Sequence, residues 1–382
     1  MSFFISTVEA KVSLNSADLL GAIKLIPLRH KIGQMLIMGF SGCDIEPQSP
    51  VVKWLTEDSL GGVLLFDFDM STKTYGKNLR HCNQIKRLVH QLKHYAESSS
   101  ANKEKLPPFI ALDYEGGAVD RLSKIDNCMT TMSAFHQGLL SDDALYLEAE
   151  KMAMTLKELG FNLNFAPVVD LNLDKDRGII GKLDRSFSSS PEEVLRAARQ
   201  FVKAFSQQGI ACSYKHFPGH GSATGDTHEG FVDVTEYYQD SELAPYETLL
   251  SDKRYPVMVM TAHVINRRLD NSGLPATLSY PILTGLLRQK IGFDGVIISD
   301  DLQMQAISDH YKLDEALGLT LNAGADMVIF GNQLGGNTPI EVIDCIEGLV
   351  NIGTISEARI DEAYQRICRL KRKINESVFS NV

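Results

Sequence analysis

The sequence Ile210-Ala-Cys-Ser-Tyr214 runs directly into Lys215-His-Phe-Pro-Gly-His-Gly-Ser-Ala-Thr-Gly-Asp-Thr-His228. The first segment has the composition of a short buried strand. The second carries three histidines, one aspartate and three glycines. Titratable side chains in a glycine-rich, movable loop at the end of a strand are typical of an active site. The pair of segments therefore predicts a fold whose strand ends carry the functional groups.

The same unit, a short apolar run followed by polar residues, recurs along the whole chain. Near-continuous apolar runs are typical of parallel strands covered on both faces. Eight such runs alternating with helices predict an α/β fold, a (β/α)₈ TIM-type barrel, with a doubly wound sheet as the alternative. The runs are Met35–Phe40, Gly62–Phe66, Phe109–Leu112, Phe161–Phe165, Ile210–Tyr214, Val257–Met260, Val296–Ser299 and Met327–Phe330. Predicted helices include Asn78–Ala96, Asp142–Leu159, Pro191–Gln208, Pro281–Lys290 and Leu313–Ala323.

Polar residues lie at or just past the carboxyl ends of these runs. A barrel gathers those ends on one face, where barrel enzymes hold their chemistry. This placement favours the barrel over an open sheet. The residues are Asp67, Asp113, Asp170, Lys215, His216, His263, Asp300 and Asn332.

The composition limits the classes of partner and compartment. A formal charge of −10 argues against nucleic acid or an anionic membrane as partner, and we expect a monomer. Six scattered cysteines predict free thiols in a reducing compartment, and residues 1–10 do not resemble a signal peptide. We therefore expect a cytoplasmic protein with an N-terminal extension, residues 1–27, and a single catalytic barrel, residues 28–376. The basic cluster Arg369–Lys373 is expected at the C-terminus of a helix, where cations interact favourably with the dipole.

The histidines could serve either as metal ligands or as groups for proton transfer. His216 and His220 have the i, i+4 spacing of helical zinc sites, but Pro218 and the neighbouring glycines disfavour a helix, so no metal or other cofactor is expected. Asp226 and His228, two residues apart in an extended loop, face the same side. The carboxylate could then orient the imidazole for proton transfer, unless the pair forms a surface turn.

The other polar strand ends also have two interpretations each. Asp300 and Asp301 follow a buried strand, so one can point into the barrel mouth while the other supports the loop or caps a helix beginning near Leu302. The glycines of Asp113-Tyr-Glu-Gly-Gly117 could let a ligand approach the backbone, or could form a simple turn. Arg185 would by default be a solvated charge.

Several motifs together resemble one family, the bacterial β-N-acetylhexosaminidases of glycoside hydrolase family 3. The resemblance covers roughly residues 28–335 in the family's order. The motifs are Lys215-His-Phe-Pro-Gly-His-Gly221 with Asp226-Thr-His228, Asp113-Tyr-Glu-Gly-Gly117, Asn164-Phe-Ala-Pro-Val-Val-Asp170, Arg185-Ser-Phe187 and Gly292-Phe-Asp-Gly-Val-Ile-Ile-Ser-Asp-Asp-Leu302.

The resemblance implies a barrel that can stand alone and exo-hydrolysis with retention of configuration, usually of peptidoglycan fragments. It implies Asp300 as nucleophile and His228, assisted by Asp226, as acid/base. It further implies that five residues bind the terminal N-acetylglucosamine: Asp113, Arg121, Arg185, Lys215 and His216. The chain departs from the family at Ala118, where an arginine is common, and in Ile180–Phe187, which is two residues longer.

Acid/base chemistry from a histidine fits such an enzyme, because an imidazole with a pKa of about 6.5 can donate and then accept a proton near neutrality. A family-3 β-glucosidase or β-xylosidase would need a different acid/base. A phosphorylase, in which phosphate replaces water, remains an alternative, since an acid/base that is not anionic tolerates that anion. A non-catalytic sugar-binding protein would have lost Asp300 or His228, and both are present.

Overall fold

Eight parallel strands form a closed barrel in the computed structural model, which describes residues 23–99, 106–225, 230–333 and 335–379, with side chains to residue 376. The strands are β1 (Leu36–Gly39), β2 (Gly62–Leu64), β3 (Phe109–Leu112), β4 (Leu163–Asn164), β5 (Ala211–Phe217), β6 (Val257–Thr261), β7 (Ile297–Asp301) and β8 (Met327–Phe330). Each strand pairs with its neighbours in chain order, and β1 closes the ring by pairing with β8. The predicted (β/α)₈ barrel is confirmed, and the doubly wound alternative is wrong.

Helices cover the outside of the barrel. They are α1 (Pro50–Thr56), α2 (Cys82–Ser98), α3 (Asp142–Leu159), α4 (Pro191–Gln207), α5 (Ala244–Leu249), the π-helical α6 (Pro281–Lys290), α7 (Leu313–Ala323), α8 (Pro339–Asn351) and α9 (Glu357–Phe379). Further helical segments are Leu28–Gln34, Ala134–Gly138, Ile179–Lys182, Asp240–Leu243, Ala276–Leu278 and Gln305–Ser308. The helix predicted from Asn78 begins instead at Cys82, because the His81 side chain accepts a hydrogen bond from the Gln84 amide and caps it there.

Three short strand pairs stand on the carboxyl side of the barrel. One hairpin after β2 pairs Phe68–Asp69 with Thr74–Tyr75, and another after β3 pairs Tyr114–Gly116 with Val119–Asp120. A parallel pair, Val232–Asp233 with Val264–Ile265, joins the loops after β5 and β6. These additions build up the face on which the predicted functional residues lie.

The opposite face is closed by α9. Lys371 is buried there and donates hydrogen bonds to Gln34 Oε1 at 2.8 Å and to the Gly61 carbonyl at 2.9 Å, with its ammonium 4.8 Å from the Phe109 ring centre. The expectation that the basic cluster Arg369–Lys373 ends a helix is wrong, since α9 continues to Phe379. The hydrogen bonds of Lys371 therefore hold α9 against the amino-terminal side of the barrel. Within the described residues, no helix is both long and apolar enough to cross a bilayer.

Candidate active site

A cavity of about 400 Å³ opens at the carboxyl ends of the strands. The predicted nucleophile Asp300 and all five predicted substrate-binding residues line it. They are Asp113, Arg121, Arg185, Lys215 and His216. Three strand ends and two loops therefore bring together residues that span almost 190 positions of the sequence.

The centre of this site is a buried ionic cluster around Glu115. Arg185 donates to both carboxylate oxygens of Glu115, at 2.9 and 2.8 Å. Lys215 Nζ lies 2.7 Å from the same carboxylate and donates to Asp113 Oδ1 at 2.9 Å. The default reading of Arg185 as a solvated charge is wrong, because its side chain is 10% exposed and held in a bidentate pair.

The cluster keeps its members charged. Burial alone would raise the pKa of Glu115, but the guanidinium of Arg185 and the ammonium of Lys215 outweigh it and lower that pKa well below its usual range. Burial alone would lower the pKa of Lys215, and the carboxylates of Asp113 and Glu115 reverse this and raise it. A fixed set of charges with little access to water can bind the hydroxyl and amide groups of a polar ligand in one orientation.

Arg121 extends the cluster toward the strand β2 side of the mouth. Its guanidinium lies 3.7 Å from Asp67 Oδ1 and 3.7 Å from Asp113 Oδ2, and 5.7 Å from the centre of the Phe66 ring. Asp67, singled out in the sequence as a strand-end residue, thus acts on the site through Arg121.

His216 is held by a carboxylate at the end of the neighbouring strand. Its Nδ1 lies 2.7 Å from Asp170 Oδ2, and its backbone amide donates to the same side chain at 3.1 Å. Asp170 also accepts a hydrogen bond from the His220 amide at 2.9 Å. Burial opposes ionisation of Asp170, but His216 more than compensates and lowers its pKa. Because Nδ1 is engaged, Nε2 is the ring nitrogen that His216 retains for a ligand.

His220 lies beside His216, with ring centres 5.6 Å apart. Burial, reinforced by His216, lowers the pKa of His220 to about 4, so its imidazole is neutral at physiological pH. Within the described parts of the chain, no group of three histidine, cysteine or acidic side chains is arranged to hold a metal ion.

Asp300 and Asp301 lie at the end of β7, and both line the cavity. Asp301 is occupied by backbone, accepting hydrogen bonds from the Gln303 amide at 3.0 Å and the Gly331 amide at 3.2 Å. The helix-cap reading of Asp301 is wrong, because the next helical segment begins only at Gln305. Asp300 lines the cavity and accepts a hydrogen bond from the Asp301 amide at 2.8 Å.

The predicted acid/base pair, Asp226 and His228, lies outside the described residues. The part of the motif before it differs from the expectation of a movable loop. Residues 217–222 are buried, and the Gly221 amide donates to Glu242 at 2.9 Å. A side chain at Gly221 would clash with the Leu171 carbonyl, so close packing explains this glycine.

The glycines after Glu115 likewise serve packing within the protein. Gly116 has φ of +105°, and a Cβ there would lie 2.1 Å from the Met132 carbonyl oxygen. Gly117 is covered in the same way by Ser133. The absence of a side chain at these two glycines therefore makes room for Met132 and Ser133. Ala118, the departure from the family pattern, is exposed on the adjoining turn. The longer segment before Arg185 forms the short helix Ile179–Lys182.

A barrel with a charged pocket around a strand-end carboxylate is compatible with the class of barrel glycosidases. Residues 27–370 match the family model described as the glycosyl hydrolase family 3 N terminal domain, and the chain belongs to that family. It is 30% identical to beta-hexosaminidase A of Pseudoalteromonas piscicida over 99% of this chain and 64% of that protein. It is 33% identical to the beta-hexosaminidase of Tolumonas auensis over 83% of this chain and 86% of that one.

Among solved structures, a glycoside hydrolase family 3 beta-N-acetylglucosaminidase from Paenibacillus sp. str. FPU-7 superimposes with a TM-score of 0.79 at 32% identity, over 91% of this chain and 63% of that one. The chain therefore spans a little under two thirds of two of these relatives. The resemblance to bacterial β-N-acetylhexosaminidases of family 3 is confirmed.

Two residues of the site were missing from the predicted set. Glu115 anchors both Arg185 and Lys215, and Asp170 orients His216. Both residues lie in the sequence motifs described above, and Asp170 is one of the strand-end residues. Their partners lie 46 or more positions away in sequence, so only the closed barrel shows what each contacts.

Proposed function

We propose that this protein is a retaining exo-β-N-acetylglucosaminidase in which Asp300 is the nucleophile and His228, oriented by Asp226, is the acid/base. The observation that carries the proposal is that Asp300 lines the same cavity as the buried Asp113–Lys215–Glu115–Arg185 cluster. A terminal sugar bound by those charges would have its anomeric carbon beside the carboxylate.

The reaction then takes two steps. An oxygen of Asp300 bonds to the anomeric carbon while the glycosidic bond breaks, and the leaving oxygen takes a proton from His228. In the second step neutral His228 removes a proton from water, the water oxygen bonds to the anomeric carbon, and the Asp300 carboxylate is released. Two inversions at one carbon give net retention.

The charges of the cavity support water rather than phosphate as the second nucleophile. Among the described residues that line the cavity, three are cations (Arg121, Arg185 and Lys215) and four are carboxylates (Asp113, Glu115, Asp300 and Asp301). Each cation already lies near a carboxylate. An additional anion would meet net repulsion, which favours the hydrolase over the phosphorylase.

The natural substrates we propose are peptidoglycan fragments ending in N-acetylglucosamine, hydrolysed in the cytoplasm by a monomer. The six cysteines support the compartment, because all are free thiols in the structure and thiols persist in a reducing environment.

A panel of p-nitrophenyl glycosides with and without the 2-acetamido group tests the activity. We expect turnover of the β-N-acetylglucosaminide and at most trace turnover of the β-glucoside and β-xyloside. Product analysis in phosphate buffer should give free N-acetylglucosamine. Accumulation of the sugar phosphate would instead support the phosphorylase, and preference for the glucoside would contradict the proposed specificity.

A further inference from the structure

The hairpin after β2 forms one wall of the cavity at its open end. Phe68 and Met70 of this hairpin line the cavity together with Gln333 from the loop after β8. Among the described lining residues, Met70 is the one with an exposed side chain, at 49%. The ionic cluster, by contrast, is buried, with Lys215 and Glu115 only 2–3% exposed.

The cavity thus has a closed charged end and an open apolar edge. An exo-acting enzyme holds the terminal sugar at the closed end, so the group attached to the anomeric oxygen must extend toward solvent. The group attached to the anomeric oxygen would therefore extend from the charged end past the exposed edge at Met70.

The hairpin is held rigidly beside the reaction centre. Gln333 accepts a hydrogen bond from the Met70 amide at 3.2 Å and donates to the Phe68 carbonyl at 2.7 Å. Buried Lys77 donates to Gln333 Oε1 at 3.0 Å, and Asp69 accepts from the Ser71 amide at 2.9 Å within the turn. The same loop after β8 is bonded through Gly331 to Asp301, the neighbour of the nucleophile.

We infer that Met70 and Phe68 form the leaving-group subsite and are specificity-determining residues of the reaction; this inference rests on the proposed function. The substrate class it names is N-acetylglucosaminides whose leaving group presents an apolar face, such as an aryl ring or the C–H face of a sugar. A thioether adapts its shape to different apolar surfaces, so the subsite accepts varied leaving groups.

The test compares Met70→Ala with the wild type on three substrates: the p-nitrophenyl glycoside, N,N′-diacetylchitobiose and N-acetylglucosaminyl fluoride. The leaving group of the last substrate is a single fluoride ion, which is too small to contact Met70. We expect kcat/KM to fall about 10-fold on the first two substrates, the scale of lost apolar contact in a pocket, and to stay unchanged on the fluoride. Met154→Ala is the matched control, because Met154 is 47% exposed on α3 and does not line this cavity.

The outcomes separate the two proposals. Equal losses on all three substrates, or no loss on any, would overturn the subsite at Met70 while leaving the glycosidase in place. A wild-type protein that turns over none of the three substrates, the fluoride included, would contradict the proposed function itself.

Discussion

Glu115 and Arg185 meet through two hydrogen bonds of 2.8 and 2.9 Å, although 70 positions separate them in sequence. The pair ties the loop after β3 to the loop after β4, and Lys215 at the end of β5 joins it. Three strand ends are therefore set relative to one another by one carboxylate that need not touch the substrate.

Glu115→Gln keeps the shape of this side chain and removes its charge. Arg185 and Lys215 would then be buried with too little compensating charge, which costs about 3 kcal/mol of stability. We expect a lower melting temperature and about 100-fold lower kcat/KM, since Arg185 and Lys215, which we propose bind the sugar, would shift. The control is Glu193→Gln on the exposed surface of α4, where the partner is Arg196 and little change is expected. Unchanged kcat/KM in Glu115→Gln would show that the cluster is not required for activity.

Asp300→Ala should abolish turnover, because the carboxylate proposed to bond to the anomeric carbon would be missing. A mechanism-based fluorinated N-acetylglucosaminide should label Asp300 in the wild type, as read by peptide mass spectrometry. Asp301→Ala should keep much more activity, since Asp301 bonds the amides of Gln303 and Gly331 and supports the loop. Label recovered on Asp301 or Glu115 would reverse this assignment.

The two histidine–aspartate pairs should respond differently to the leaving group. His228→Ala should lose far more activity on a disaccharide than on the p-nitrophenyl glycoside, because only the sugar alkoxide requires a proton in the transition state. General acid catalysis sets that gap at about 10²–10⁴-fold. His216→Ala should lose similar activity on both substrates, because we propose that His216, oriented by Asp170, binds the terminal sugar. A leaving-group dependence found for His216 instead would identify it as the proton donor.

Lys371 should make stability depend on pH. Burial lowers its pKa from 10.5 to about 7, so between these values the unfolded chain binds the proton and the folded chain does not. Unfolding free energy should therefore rise with pH in this window by up to about 1.4 kcal/mol per pH unit from this group. Lys371→Met should remove that contribution in urea titrations across the window.

Lys31 is the matched comparison for Lys371. It is equally buried, but it donates to Asp361 at 2.5 Å and to Glu357 at 3.1 Å. Lys31→Met should lower stability at neutral pH without removing the slope. Identical slopes in the wild type and Lys371→Met would mean that the Lys371 ammonium stays charged, held by Gln34, Gly61 and the Phe109 ring.

The barrel and most of its site could be predicted because the residues that indicate each strand and its polar end are adjacent in sequence. A run such as Val296–Ser299 shows its burial in its own composition, and Asp300 follows it directly in sequence. Parallel topology then places every such residue on one face, so adjacency along the barrel follows without knowledge of any contact.

What could not be predicted depends on partners that are distant in sequence. From the sequence, Gly221 predicts a mobile loop, whereas in the structure it packs against the Leu171 carbonyl. Likewise, Arg185 is predicted to be solvated, whereas it is hydrogen-bonded to Glu115. The cluster Arg369–Lys373 has the composition of a helix end, but its role depends on acceptors at residues 34 and 61, more than 300 positions earlier.

The way α9 is fastened also bears on where the chain can be shortened. The family match ends at residue 370, one position before Lys371 and four before buried Ile374. A chain trimmed after residue 370 would keep every residue that we propose for catalysis and sugar binding. It would nevertheless expose the underside of the barrel and leave the Gly61 carbonyl without its ammonium donor. We therefore expect folding to require residues beyond position 370, where the family match ends.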